Sequence, residues 1–152
     1  RLYRLAAEQG DVLAQFNLAI MYTKGNGVEK NEVEGVRWYR LAADQGNARA
    51  QFNLGWRCEE GRSMAKNEKE GVRWYRLAAE QGLSQAQFNL ALRYEQGQGV
   101  AKNEKEAARL YRLAAEQGDV LAQFNLAIMY TKGNGVEKNE VEGVRWYRIA
   151  AE

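Results

Sequence analysis

The sequence YRLAAEQG at residues 3–10 recurs at a constant distance along the chain. Its copies are YRLAADQG at 39–46 and YRLAAEQG at 75–82 and 111–118, each 36 residues after the one before. A second motif, AQFNL, has the same spacing and begins at Ala14, Ala50, Ala86 and Ala122. A fixed period of this length is typical of arrays in which one supersecondary unit stacks on the next.

The first half of each unit has the pattern of a helix. Over about residues 12–24, Ala14, Leu18 and Tyr22 follow one another at intervals of four and so lie on one stripe of a helix. Gly25-Asn26-Gly27 comes next, and glycines supply the positive φ angles that end a helix. This half therefore predicts a helix followed by a tight turn.

The second half of each unit carries the start and stop signals of another helix. Asn31 is the predicted N-cap, and Glu34 three residues later completes a capping-box pattern. The same pair recurs as Asn67/Glu70, Asn103/Glu106 and Asn139/Glu142. Gly46 stands where the glycine after a helix is expected. The sequence therefore predicts an all-α array of helix–turn–helix units.

We expect one array over residues 1–152. Its parts are a partial repeat at 1–10, full repeats at 11–46, 47–82 and 83–118, and a nearly complete repeat at 119–152. Residues 1–44 recur as 109–152 with two changes, Leu41 to Ile149 and Asp44 to Glu152. Because no polar capping repeat is recognisable, we expect a section of a longer array.

Composition excludes several classes of function. The chain has 22 Lys and Arg against 20 Asp and Glu, which gives no electrostatic case for nucleic acid. It has no His, so Ser-His and Cys-His catalytic pairs are excluded, and no metal or cofactor site is expected. No apolar run is long enough for membrane insertion. The single Cys fits a reducing compartment such as the cytoplasm.

These landmarks together resemble a known family. The order Ala14, Leu18-Ala19, Tyr22, Gly25-x-Gly27-Val28, Trp38-Tyr39 and Ala42-Ala43-x-Gln45-Gly46 is similar to the Sel1-like repeat, a relative of the tetratricopeptide repeat. The resemblance implies a right-handed α-solenoid whose first helices line a concave face, and an adaptor of protein complexes rather than an enzyme. Family copies often have Ala where this chain has Gly35, Gly71 and Gly143, so we expect closer helix approach there.

By analogy with tetratricopeptide arrays, a second apolar side of the first helices borders the groove. Its members are Phe16, Ile20, Phe52, Trp56, Phe88, Leu92, Phe124 and Ile128, with Asn17, Asn53, Asn89 and Asn125 beside them. They form either a ladder that receives a peptide or the core between repeats. The asparagines could hold a bound backbone or bond a neighbouring helix. For Gln15 and its copies, we expect hydrogen bonds inside the hairpin.

The second repeat departs most from the others. It reads Trp56-Arg57-Cys58-Glu59-Glu60 and then Gly61-Arg62-Ser63-Met64 where other copies have a regular pattern. Such divergence could encode partner specificity, or it could be drift. We take Trp56 as the candidate anchor, with Arg57, Glu59, Arg93 and Glu95 as polar discriminators. Cys58 is expected to be a buried, inert thiol.

The second helices carry pairs of arginines, Arg37/Arg40, Arg73/Arg76, Arg109/Arg112 and Arg145/Arg148. They form either a solvated convex face or a site for an acidic partner. The main functional prediction is a non-enzymatic scaffold that binds a protein or peptide in the groove. The alternative is a structural section of a superhelical filament that self-associates through its ends.

Overall fold

The computed structural model describes residues 2–152, and these residues form nine α-helices and no strand. The helices are α1 Leu2–Glu8, α2 Val12–Lys24, α3 Glu32–Asp44, α4 Ala48–Glu60, α5 Glu68–Glu80, α6 Ser84–Gln96, α7 Glu104–Glu116, α8 Val120–Lys132 and α9 Glu140–Ala151. Helices α2 and α3 are the two halves of one repeat, and later pairs follow the same order. The predicted all-α solenoid of helix–turn–helix repeats is confirmed.

Capping residues define the helix ends as the sequence predicts. The Asn31 side chain accepts a hydrogen bond of 3.0 Å from the Glu34 backbone N–H at the start of α3. The Glu34 carboxylate lies 3.6 Å from Arg37 Nη1, so it pairs with an arginine one turn further on. Gly25 ends α2 with a φ of +73°, in the left-handed region that favours glycine. These local signals are repeated from unit to unit, which explains the regular helix lengths.

The two helices of a repeat approach closely at a glycine of the second helix. A Cβ atom at Gly35 would overlap the γ-methyl group of Thr23 and lie 3.1 Å from the Ala19 carbonyl oxygen. A Cβ atom at Gly71 would lie 2.9 Å from the Gly55 carbonyl oxygen. These contacts confirm the expected close helix approach and show why alanine does not replace these glycines.

The chain divides into two compact units, the first ending at Ala78 and the second beginning at Ala79. The first unit has a core of small and aromatic side chains, among them Ala19, Trp38, Tyr39, Leu54 and Cys58. Buried residues of the second unit include Leu90, Leu110, Tyr111, Leu126 and Trp146. Organisation as one array over residues 1–152 stays a prediction.

A glutamine in each first helix joins its repeat to the one before. Gln15 Nε2 donates to the Ala7 carbonyl oxygen at 3.1 Å, and Gln15 Oε1 accepts from Gln45 Nε2 at 2.8 Å. Gln45 also donates to the Gly10 carbonyl oxygen. The second unit repeats the arrangement with Gln87, Gln117, Ala79 and Gly82. The expected bond inside the hairpin is confirmed for Gln15 and Gln45, but the carbonyl acceptor of Gln15 belongs to the preceding second helix, which we did not expect.

Candidate functional site

The phenylalanines of the predicted ladder pack against tyrosines of the second helix in their own repeat. The Phe16 and Tyr39 ring centroids lie 5.9 Å apart. The other pairs are Phe52 with Tyr75, Phe88 with Tyr111 and Phe124 with Tyr147, at 5.5–5.8 Å. Phe16 is only 8% exposed and belongs to the core of the first unit. Of the two interpretations left open, the structure places Phe16 in the core, because its ring is buried against Tyr39 of the same repeat.

The recurring asparagines are half-buried and at two positions bond the protein itself. Asn53 Nδ2 donates to the Arg49 carbonyl oxygen of its own helix at 2.9 Å. Asn125 forms a hydrogen bond with the Tyr111 hydroxyl group, which belongs to the helix before it. At Asn53 and Asn125, these bonds favour the structural alternative over a clamp on a bound backbone. Asn17 and Asn89 occupy the equivalent places in α2 and α6.

Glu59 and Glu95 are engaged inside their own repeats. Tyr75 donates its hydroxyl hydrogen to Glu59 Oε1 at 2.7 Å, and Tyr111 donates to Glu95 Oε1 at the same distance. Burial, together with the hydrogen bond and charge of Glu95, raises the pKa of Tyr111 well above its ordinary value. Because these carboxylates connect the two helices of a repeat, they contribute to the hairpin before any partner is bound. The sequence could have indicated this pairing, because a glutamate at position 59 or 95 is combined with a tyrosine eight residues after the N-cap asparagine of the next helix.

One stripe of each first helix stays accessible. It begins at Leu13 and Leu121, which are 64% and 63% exposed. One position of the stripe is half-buried in every repeat, and its residues are Ile20, Trp56, Leu92 and Ile128. The stripe varies between repeats, whereas buried positions such as Leu18 and Leu54 keep the same residue type. The accessible stripe therefore combines exposure with variation between repeats.

Trp56 lies in a cluster of charged side chains, which we call the Trp56 cluster and define as Glu32, Trp56, Arg57 and Arg62. The guanidinium carbons of Arg57 and Arg62 each lie 5.6 Å from the Trp56 ring centroid. Arg62 Nε donates to Glu32 Oε1 at 3.0 Å, and Arg57 Nη1 lies 3.5 Å from the same oxygen. These interactions lower the pKa of Glu32, mainly through the hydrogen bond from Arg62. Glu32 and Arg62 were not among the predicted site residues, because their contact depends on packing between α3 and the turn after α4.

Arg57 is an interior residue rather than a surface discriminator. It is 6% exposed, and its guanidinium carbon also lies 5.7 Å from the Tyr39 ring centroid. The corresponding Arg93 is half-buried and donates from Nη1 to Gln98 Oε1 at 2.7 Å. Direct contact of a partner with Arg57 therefore requires approach through the exposed side of the Trp56 cluster.

Two other divergent residues of the second repeat, Cys58 and Ser63, lie in the interior and in the turn after α4. Cys58 is 1% exposed, its Sγ lies 4.0 Å from Met64 Sδ, and burial raises the pKa of its thiol. This confirms the expected buried cysteine. Ser63 has a φ of +61° at the position where other repeats have glycine. Repeat two thus keeps the common turn geometry with a residue that disfavours it.

The first arginine of each second-helix pair is exposed and has an internal partner. Arg37 lies near Glu34, and the copies pair Arg73 with Glu70, Arg109 with Glu106 and Arg145 with Glu142. The guanidinium groups of Arg37, Arg73 and Arg145 also lie over the rings of Trp38, Trp74 and Trp146. This arrangement favours a solvated face with local charge pairing over an acidic-partner site.

The described residues form neither a metal-binding cluster nor a membrane-spanning helix. Among residues 2–152, no group of three or more His, Cys, Asp or Glu side chains could hold a metal ion. None of the helices between those residues combines the length and apolar character needed to cross a membrane.

Comparison with known families accounts for the whole repeat pattern. The profile of the Sel1 repeat matches residues 1–11, 12–47, 48–83, 84–119 and 120–152. The chain belongs to the Sel1 repeat family. Sel1 repeat proteins generally act as scaffolds for protein interactions and not as enzymes.

Two solved Sel1-type structures are similar to this chain. One is a protective antigen of uropathogenic Escherichia coli strains with an SLR fold, at 40% identity and a TM-score of 0.93 over 98% of this chain and 32% of that one. The other is a Sel1 repeat protein from Oxalobacter formigenes, at 43% identity and a TM-score of 0.90 over 94% and 59% of the two chains. The chain therefore spans about a third and three fifths of these relatives.

A more distant structure shares the fold. It is cysteine rich protein B of Helicobacter pylori, at 21% identity and a TM-score of 0.63 over 80% of this chain and 86% of that one. A comparison with curated proteins found no match.

Proposed function

We propose that this Sel1 repeat chain binds a segment of a partner protein along the accessible stripe of its first helices. The supporting observation is that this stripe combines exposure with variation between repeats, whereas the packed side of the same helices is nearly constant. A solenoid stabilises its fold by repeating the packed positions, which leaves the accessible positions free to define a partner.

Trp56 is the proposed anchor of this surface. It is the largest side chain on the stripe, and tryptophans at interfaces often contribute more than other residues to binding. The guanidinium groups of Arg57 and Arg62 both lie near the Trp56 ring. A partner would therefore meet an indole edge beside positive charge rather than a purely apolar pocket.

A display library of random peptides tests the proposal. Peptides selected on the wild-type chain should bind Trp56→Ala at least about fivefold more weakly, which corresponds to about 1 kcal/mol. Arg37→Ala is the matched control, because Arg37 is exposed on a second helix away from the stripe. Circular dichroism establishes that both variants are folded. Equal binding by folded Trp56→Ala, or an equal loss with Arg37→Ala, would overturn the proposal.

A further inference from the structure

The Trp56 cluster has two guanidinium groups but one carboxylate. Arg57 and Arg62 both approach the same oxygen of Glu32, at 3.5 and 3.0 Å. The Arg57 side chain is only 7% exposed, and its buried Nε–H has no hydrogen-bond partner. A guanidinium has five N–H donors, and leaving them unpaired inside a protein is unfavourable. The cluster therefore has more guanidinium groups than carboxylates to accept their hydrogen bonds.

A second guanidinium group, at position 62, is particular to repeat two. Met21 and Met129 occupy the place of Arg57 in the first and last repeats, so no buried cation exists there. In the third repeat Arg93 donates to Gln98, which occupies the place of Arg62. Repeat two thus has a second donor at the position where repeat three has an acceptor.

The cluster is open on the side of Arg62. The Arg62 side chain is 49% exposed and the Glu32 side chain is 25% exposed, and Trp56 is half-buried. Lys30 adds a further positive charge near Glu32. An anion approaching Arg62 would meet an excess of positive charge beside an aromatic ring.

We propose that the Trp56 cluster binds a carboxylate group of the partner segment, which pairs with the exposed Arg62 beside Glu32 and adds a second negative charge close to the buried Arg57. This inference rests on the proposed partner-binding function and names the chemistry of its central contact. The carboxylate can come from an aspartate or glutamate side chain or from a chain terminus. Planar guanidinium groups match either source, since both present two oxygens in the same geometry.

Small carboxylates test the contact without any partner. The arginine Nε–H and tryptophan indole N–H signals are followed by NMR at constant ionic strength. The probes are N-acetylglutamate α-amide for a side-chain carboxylate, N-acetylalanine for a terminal one and N-acetylglutamine amide as the neutral control. We expect saturable shifts at Arg57, Arg62 and Trp56 with a Kd of about 1–10 mM for at least one carboxylate. Binding of the first or the second probe alone identifies the source.

Substitutions then separate the site from general charge effects. Arg62→Gln reproduces the residue of repeat three and should weaken the probe at least about fivefold. Glu32→Gln removes the competing carboxylate and should strengthen it about threefold or more. Arg37→Gln, on the exposed second-helix face, should leave the affinity unchanged. The unshifted Arg93 signal shows that each variant is folded.

Three results would overturn the proposal: no saturable shift, equal binding of the neutral probe, or equal affinity in Arg62→Gln. None of them bears on peptide binding elsewhere along the stripe. Conversely, if carboxylates bind but selected peptides ignore Trp56→Ala, the proposed function fails while the anion site stands.

Discussion

Replacing Gly35 by alanine should destabilise the protein even though alanine is the better helix former. In an open helix this change stabilises by about 1 kcal/mol. Here the new Cβ atom would overlap the Thr23 γ-methyl group and lie 3.1 Å from the Ala19 carbonyl oxygen. Overpacking of this kind costs about 1–3 kcal/mol, so the expected net loss is about 1 kcal/mol.

The structure identifies the atom that causes the loss. Thr23→Ser removes the γ-methyl group but keeps a hydroxyl group that can still donate to the Ile20 carbonyl oxygen, as Thr23 does at 3.1 Å. Alanine at position 35 should therefore be tolerated in the Thr23→Ser background. The two substitutions should be coupled by at least about 1 kcal/mol, within the range seen for residues in contact.

Urea unfolding of the four proteins in this double-mutant cycle, followed by circular dichroism, measures the coupling. Ala107→Gly in the third repeat is the control, since that repeat already has alanine at the equivalent place. It should lose about 1–2 kcal/mol from helix propensity and a buried methyl group. If Gly35→Ala stabilises the protein with Thr23 present, or if the two changes are additive, the close-approach argument is wrong.

Three further substitutions test local features of the structure. Ser63→Gly should stabilise by about 0.5–1 kcal/mol in urea unfolding, because Ser63 has a φ of +61°; a loss of stability would contradict the strain argument. Leu83→Asp should stabilise by about 0.5–1 kcal/mol, since Leu83 is an N-cap without a side-chain hydrogen bond, and Leu83→Ala serves as its control. Glu32→Gln should lower the stability at neutral pH, because it leaves Arg57 without its carboxylate. Because the pKa of Glu32 is lowered from its ordinary value of 4.5, this difference is fully present above pH 4.5 and is lost as the pH falls through the lower pKa of the folded protein; an undiminished difference in strong acid would refute the pairing.

The fold could be predicted because its signals are local and repeated. The N-cap asparagines, the turn glycines and the spacing of Ala14, Leu18 and Tyr22 each act within one or two helical turns. The bonds of Gln15 could not be predicted in full for the opposite reason. Its carbonyl acceptor, Ala7, lies in the repeat before, and its donor, Gln45, lies 30 residues further on. Periodicity shows that a glutamine recurs but not which neighbouring helix it reaches.

The candidate site was only partly predictable. Helical spacing correctly indicated a second apolar side of the first helices, but spacing cannot separate Phe16, which is buried, from Ile20, which is half-buried. A difference of four residues on a helix changes the angle by about 40°, and the width of the contact with the next repeat decides which residue it covers. Glu32 was missed because nothing in its own repeat distinguishes it from Glu68, Glu104 and Glu140.

That ordinary glutamate explains how a new site can arise within a uniform array. Every repeat has an acidic residue at the start of its second helix, where it is favourable beside the helix N-terminus. The next repeat needs only arginines at two positions, 57 and 62, to use it as a counter-ion. With Trp56 against both arginines, the proposed partner contact depends on three side chains of one repeat. Under this proposal a repeat can change what it binds without altering the glutamines, glycines and caps that stabilise each repeat.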